Sequence, residues 1–335
     1  MLSEVALEGV VSATRPKISL DFIVKNESLA DGDYNDYIKS FCHDSVTIDR
    51  LYATLENDAS ILKLMNKHGL KKELTECYAA ICLVERTLRR KGTLEEDTSP
   101  LPSPSSSSSS QYCVQCIQST NNSGGNEQIG EPLLTFSAIR RNASNLVFYD
   151  VCSGKGILSF LLCFLFPDIP KIVMIDFNLN MKLDHLKAEC CKCITYKQCD
   201  IYTENFSEYL LSESTHCFEK GQTVIVIGLH LCGTLSARLI QLYNKMEFVP
   251  ILIISPCCAP KRSKKVKVFM TREKLNKNKW PAYGFWTMGL YVLIDKIQSV
   301  KDIVHDELIL SDKNTVIVAI KRKFLMTPIS HCAGT

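Results

Sequence analysis

No apolar run in the chain approaches the roughly 20 residues that a membrane-spanning helix needs. The first turns carry Glu4 and Glu8, unlike the basic start of a signal peptide. A cytoplasmic or nuclear protein without a membrane partner is therefore expected. Two common nucleotide fingerprints are also missing. No Gly-Lys-Ser/Thr stands at Walker spacing, and the dinucleotide pattern fails because the sixth position counted from Gly154 is Ser159. The 16 cysteines lack the regular spacing of a small secreted domain, and Cys152, Cys163, Cys190, Cys191 and Cys232 fall inside apparent strands and helices. Reduced thiols are the expectation.

What the chain does have is a strand, a glycine turn and a helix over residues 146–160. Leu146–Tyr149 is apolar and ends at Asp150; Ile157, Leu158, Leu161, Leu162, Phe164 and Leu165 then follow at helical density. Between them Gly154 and Gly156 allow a sharp turn and close approach of backbone to a ligand, with the N–H groups of the next helix facing the same crevice. An acid at the end of the first strand, followed by a short small-x-Gly-x-Gly loop, suits S-adenosylmethionine (SAM): a carboxylate attracts the cationic methionine end, where a pyrophosphate would be repelled. Asp150 takes that place, with Cys152 where a glycine is more usual.

At 335 residues and 46% hydrophobic, the chain has room for one large or two modest domains. Residues 1–92 read as a small, mainly helical module, with a short alternating piece at 17–24 and apolar periodicity from Tyr34 to about Lys91. Asp49 and Asp58 are candidate helix caps. Residues 93–131, rich in Ser, Pro, Asn and Gly, read as a disordered linker. Cys113 and Cys116 within it have half a zinc-knuckle spacing but no second pair at finger distance. Residues 132–325 form the main domain and 326–335 a tail. In the main domain, strands ending near Asp150, Asp176, Asp200, Leu229 and Ser255 alternate with helices, including ones expected over 178–191, 203–212 and 231–245. Two last strands, 303–310 and 315–321, make a hairpin. The fold class is α/β: a Rossmann-like sheet, parallel with an antiparallel C-terminal hairpin, in the order of class I methyltransferases, preceded by the helical module.

Ligands of such sheets lie at the carboxyl ends of the strands. Asp150, Asp176 and Asp200 end successive strands, where they can face the methionine end, the ribose hydroxyls and the adenine amino group. The fourth strand runs into His230-Leu-Cys232-Gly, and the fifth into Ser255-Pro-Cys257-Cys258. His230 can take a proton from an acceptor hydroxyl. Cys232 with Cys257 or Cys258 can supply a nucleophile and its helper. The four together have the softness of a zinc set, and buried cysteines can equally be small hydrophobes; no metal is assigned.

Directly afterwards, residues 261–279 carry Lys261, Arg262, Lys264, Lys265, Lys267, Arg272, Lys274, Lys277 and Lys279 against Glu273 alone. Residues 1–100, by contrast, hold 13 Lys/Arg and 17 Asp/Glu. A basic run beside the acceptor suits phosphate contact. Trp280, Tyr283, Phe285 and Trp286 follow, either stacking surfaces for an unpaired base or core.

Asp-Val-Cys-Ser-Gly-Lys-Gly-x-Leu-Ser (150–159), His-Leu-Cys-Gly-x-Leu-Ser (230–236) and Ser-Pro-Cys-Cys (255–258) resemble the methyltransferase domain shared by the eukaryotic tRNA acceptor-stem 2′-O-methyltransferase, several methyltransferase-like proteins and the glutathione-S-transferase C-terminal-domain-containing protein. The resemblance covers about residues 135–325. It implies a SAM-dependent enzyme in which Asp150, Gly154, Gly156 and Asp176 hold SAM while His230 and Cys257 border the acceptor. The chain departs from the tRNA enzyme in lacking its N-terminal zinc modules and in placing Ala259-Pro260 after the double cysteine, where histidine is typical. A methyltransferase acting on RNA, on a tRNA-like substrate at the ribose 2′-oxygen, is the expectation; a protein or small-molecule methyltransferase, or a non-catalytic SAM-binding adaptor, is the alternative. Replacing Lys261, Arg262, Lys264, Lys265 and Lys267 by alanine should weaken RNA binding and make its dependence on log salt shallower by about 0.7 per lost phosphate contact; a salt titration of fluorescent RNA checks this.

Overall fold

The computed structural model describes residues 54, 57–65, 70–96, 136–260, 282–306, 309 and 313–326. The expected piece at 17–24, the linker beyond Glu96 with Cys113 and Cys116, and the basic stretch 261–279 lie outside the described residues. The chain divides into two units, Met1–His68 and Gly69–Thr335. In the first, helix α1 (Ala59–Met65) begins behind Asp58, whose Oδ1 accepts the N–H groups of Ser60 at 2.8 Å and Ile61 at 3.1 Å. Asp58 is thus the cap its position suggested.

The second unit opens with the long helix α2 (Leu70–Glu96). Leu74, Cys77, Tyr78, Ile81, Val84 and Leu88 recur at three- and four-residue steps and are buried. Two carboxylates share that burial, Glu76 and Glu85, each only 2% exposed. Glu85 accepts the N–H groups of Ala138 at 2.9 Å and Ile139 at 2.8 Å. These open helix α3 (Ser137–Asn142), whose own cap residue, Phe136, supplies no side-chain acceptor. The orphan donors of that helix end are therefore satisfied from a helix some fifty residues earlier in the chain.

The sheet then follows: β1 (Leu146–Val151), α4 (Ile157–Leu165), β2 (Lys171–Asp176), β3 (Ile194–Gln198), α5 (Glu204–Glu219), β4 (Thr223–Cys232), α6 (Leu235–Lys245), β5 (Ile251–Cys258), α7 (Ala282–Leu293), β6 (Ser299–His305), β7 (Thr315–Lys321) and the short α8 (Arg322–Met326). Its order is β3-β2-β1-β4-β5-β7-β6. β1 to β5 are parallel, and β7 runs antiparallel to both β5 and β6. This is the Rossmann-like, hairpin-closed sheet expected for a class I methyltransferase. The chain reverses its direction of travel across the sheet between β1 and β4, which places the ligand crevice at their carboxyl ends. β1 is buried along its whole length, and Val147, Tyr149 and Val151 share a core with Phe206, Tyr243 and Trp286. Trp286 is consequently a core residue and offers no face to a base.

Three local expectations change, the first being the leading strand of the C-terminal hairpin, expected over 303–310 and found at Ser299–His305. Residues 178–191 form no α-helix, only two short 3₁₀ turns at Asp184–Lys187 and Glu189–Cys191. Asp176 and Asn178 instead accept the N–H two residues on, at 3.0 Å each, in turns that compete with helix formation. β4 continues past Leu229 to Cys232 through a bulge, pairing Leu231 with Pro256 and Cys232 with Cys258, so α6 starts only at Leu235. Because Glu85 serves two buried N–H groups and also pairs with Arg89 Nε at 2.6 Å, Glu85→Ala should lower unfolding free energy by about 2–4 kcal/mol, measured by urea denaturation.

Candidate active site

The chain leaves β1 through backbone that L side chains rarely adopt. Cys152 has φ 59°, Gly154 φ 53° and Gly156 φ 78°. A Cβ on Gly154 would meet nothing within 4 Å, so its requirement is conformational and the space beside it is open. A Cβ on Gly156 would collide with the end of the Met174 side chain. The loop is fastened to β2, since Ser153 N–H donates to Ile175 O at 3.2 Å and Gly154 N–H to Asp176 Oδ2 at 3.1 Å. Ser153 Oγ is buried and has no hydrogen-bond partner among the described residues. A buried orphan hydroxyl beside open space suits a polar ligand.

Asp150 lies beneath this loop, 3% exposed, with Oδ2 accepting from Ser159 Oγ at 2.8 Å. Burial pushes its carboxyl up to about 7; the Ser159 hydrogen bond opposes this, while the charges of Glu73 and Asp176 add to it. Asp176 is fixed by the N–H groups of Gly154 and Asn178, and Asp200 by that of Tyr202 at 3.0 Å. All three carboxylates act on Cys152. Burial first, then Asp176, Asp150 and Asp200 push its thiol up to about 12. The four residues therefore gather at one crevice, with Phe177, 72% exposed, immediately beyond Asp176. The sequence pattern did not single out Phe177; an aromatic directly after a strand-end acid was the available signal.

On the other side of the switch point, His230 sits in the β4 bulge at φ 56°. Its half-exposed ring places Nε2 2.5 Å from Oε2 of the buried Glu76. Glu76 is the neighbour of His230 that sequence reasoning missed, a buried acid on the side of α2 opposite its apolar stripe and far in sequence from the glycine loop. Cys232, Cys257 and Cys258 come together as well, their sulfurs all within 4.8 Å of one another. Burial, then the neighbouring thiols, push Cys232 up to about 12. Burial alone would raise Cys258, but the Gly233 N–H, the Cys232 thiol and Lys313 outweigh it and lower its value. Lys313 Nζ also lies 3.4 Å from Cys257 Sγ. Lys261, Arg262, Lys264, Lys265 and Lys267 lie outside the described residues.

Residues 128–265 match a family model described as a methyltransferase domain. Among curated proteins none is significantly similar in sequence. The fold resembles the precorrin-6y C5,15-methyltransferase of Geobacter metallireducens, at 15% identity over 53% of this chain and 82% of that one, TM-score 0.30. It also resembles human N-acetylserotonin methyltransferase in complex with SAM (12% identity, 54% and 48%, TM-score 0.31) and the small RNA methyltransferase HEN1 (16% identity, 55% and 24%, TM-score 0.32). No helix among the described residues is long and apolar enough to cross a membrane.

The folded-state value of Asp150 lies above that of an unfolded aspartate, about 3.9, so the native state holds the extra proton between the two values. Ionisation then costs stability as the pH rises from about 4 to about 7. Asp150→Asn should remove that part of the decline, read from urea midpoints across the pH range.

Proposed function

We propose that this SAM-dependent methyltransferase acts on RNA and methylates a ribose 2′-hydroxyl. The observation that carries the proposal is the His230–Glu76 pair at the end of β4, on the side of the switch point opposite the glycine loop. The Glu76 carboxylate lies beside Nε2, so Nδ1 is the ring nitrogen open to accept a hydroxyl proton. The same carboxylate then balances the imidazolium that forms. The rest of catalysis is positioning, with the acceptor oxygen held in line with the methyl group. The substrate class rests on charge, since the nine Lys/Arg of residues 261–279 begin three residues after Cys258.

When bound, SAM supplies an activated methyl group whose transfer leaves a neutral thioether. Asp150 would face its cationic methionine end, Ser153 Oγ and the Gly154 loop would line the approach, Asp176 would accept from the ribose hydroxyls, and Asp200 would accept from the adenine amino group. Phe177 offers an aromatic face beside the ribose acceptor. Cys152 shapes the loop.

Calorimetric titration of SAM into the full chain, with and without total tRNA, tests this. RNA should tighten SAM binding. His230→Asn, which tolerates the left-handed backbone, and Glu76→Gln should leave SAM binding intact while slowing transfer by about 10²–10⁴. Tight SAM binding indifferent to RNA would point to a protein or small-molecule acceptor. No binding at all would leave a non-catalytic adaptor.

A further inference from the structure

The methyl-transfer chemistry proposed above has no use for three thiols at the ends of β4 and β5. Cys232 is the last residue of β4, reached after register shifts between Gly228 and Leu231 and between Leu231 and Cys232, and Cys257 and Cys258 are the last two positions of β5. The backbone holds them in register. Cys232 pairs with Cys258 across the two strands, and Gly233 N–H donates to the Cys258 carbonyl at 3.1 Å. Neighbouring positions on a strand ordinarily point to opposite faces. Here the irregular strand ends bring both vicinal sulfurs to the Cys232 sulfur, all within 4.8 Å. A metal ion bound at about 2.3 Å from each sulfur would bring them to roughly 3.8 Å apart, a contraction that side-chain rotation can supply.

We propose that Cys232, Cys257 and Cys258 form a three-thiolate site for a soft divalent cation of the zinc type, with a fourth position open to solvent on the exposed Cys232 side. The donor set is the chemistry that selects such an ion, because sulfur ligands disfavour magnesium and calcium. Three thiolates and a dication leave one negative charge, and Lys313 Nζ, 3.4 Å from Cys257 Sγ, stands where it offsets that charge. Binding releases the three thiol protons, so affinity rises with pH. His230 is not a member of the set, which the three sulfurs make up alone. The ion ties the end of β4 to the end of β5 and fixes the acceptor side of the crevice.

The experiment is titration of Co²⁺ into the reduced full-length chain, read by the thiolate-to-cobalt charge-transfer band and the visible bands of a tetrahedral ion, followed by displacement with Zn²⁺. The expected result is one equivalent per chain, lost in Cys232→Ser and in the double variant Cys257→Ser/Cys258→Ser. It should be retained in His230→Asn and in Cys113→Ser/Cys116→Ser. It should also be retained in Cys163→Ser/Cys193→Ser and in Cys190→Ser/Cys191→Ser, which remove two other close thiol pairs, with sulfurs 3.0 and 3.9 Å apart. A signal that survives loss of Cys232, or that follows Cys163 and Cys193 instead, overturns the proposal. So does a chain that binds no cobalt while circular dichroism shows it folded. Neither readout depends on RNA or on methyl transfer, so the site stands or falls separately from the substrate assignment.

Discussion

A parallel sheet has to turn each strand away sharply at its carboxyl end, and the two central strands here do so through left-handed backbone. Cys152, Gly154 and Gly156 follow β1, while His230 and Gly233 close β4, all with positive φ. For the two non-glycine residues the conformation costs of order 1–3 kcal/mol each. The buried ladder of β1 with β2 and β4 holds both strands in place while they turn. Strain gathered at the switch point, and nowhere else along these two strands, is what a preformed ligand crevice looks like in backbone terms. The bulge also aims His230. Without it the ring would follow the strand's alternation, and Cys232 would lose its register with Cys258.

Negative charge is the second constraint. Asp150, Asp176 and Asp200 lie close enough together to act jointly on the Cys152 thiol. The fold meets this by giving each carboxylate a donor, a hydroxyl for Asp150 and backbone N–H groups for the others. Burial pushes the Asp150 carboxyl up to about 7. A ligand carrying positive charge at the methionine end relieves that cost, and a pyrophosphate would add to it. The same burial and charge push the Cys152 thiol up to about 12.

Much of the sheet and of the cofactor side was legible in the sequence because both rest on local signals. Continuous apolar runs mark strands buried on both faces, and an acid after each run marks the strand's end. The glycines at 154 and 156 mark the turn. β7 falls on the expected residues 315–321, because its burial is unbroken. The failures are places where a side chain rewrites the backbone. Asp176 and Asn178 close turns on the N–H groups two residues on where a helix over 178–191 was expected, and one left-handed histidine carries β4 three residues further than its apolar run. Trp286 reads equally as stacking surface or core until the helix phase places it against Leu290 and Ile294 in the core cluster.

Glu76 was not legible for a different reason: its partner is more than 150 residues away and nothing local announces it. Yet α2 itself carries a clue. Glu76 and Glu85 are nine positions apart, two and a half turns, and so lie on opposite sides of the helix. Both are buried, one against His230 and the other against the start of α3. A helix anchored by a carboxylate on each side has little freedom to rotate or slide, because either motion strands a buried charge, at a cost of several kcal/mol. α2 therefore belongs to the machinery around His230 as much as the sheet does, and the base proposed for catalysis is set by a helix that precedes the glycine loop.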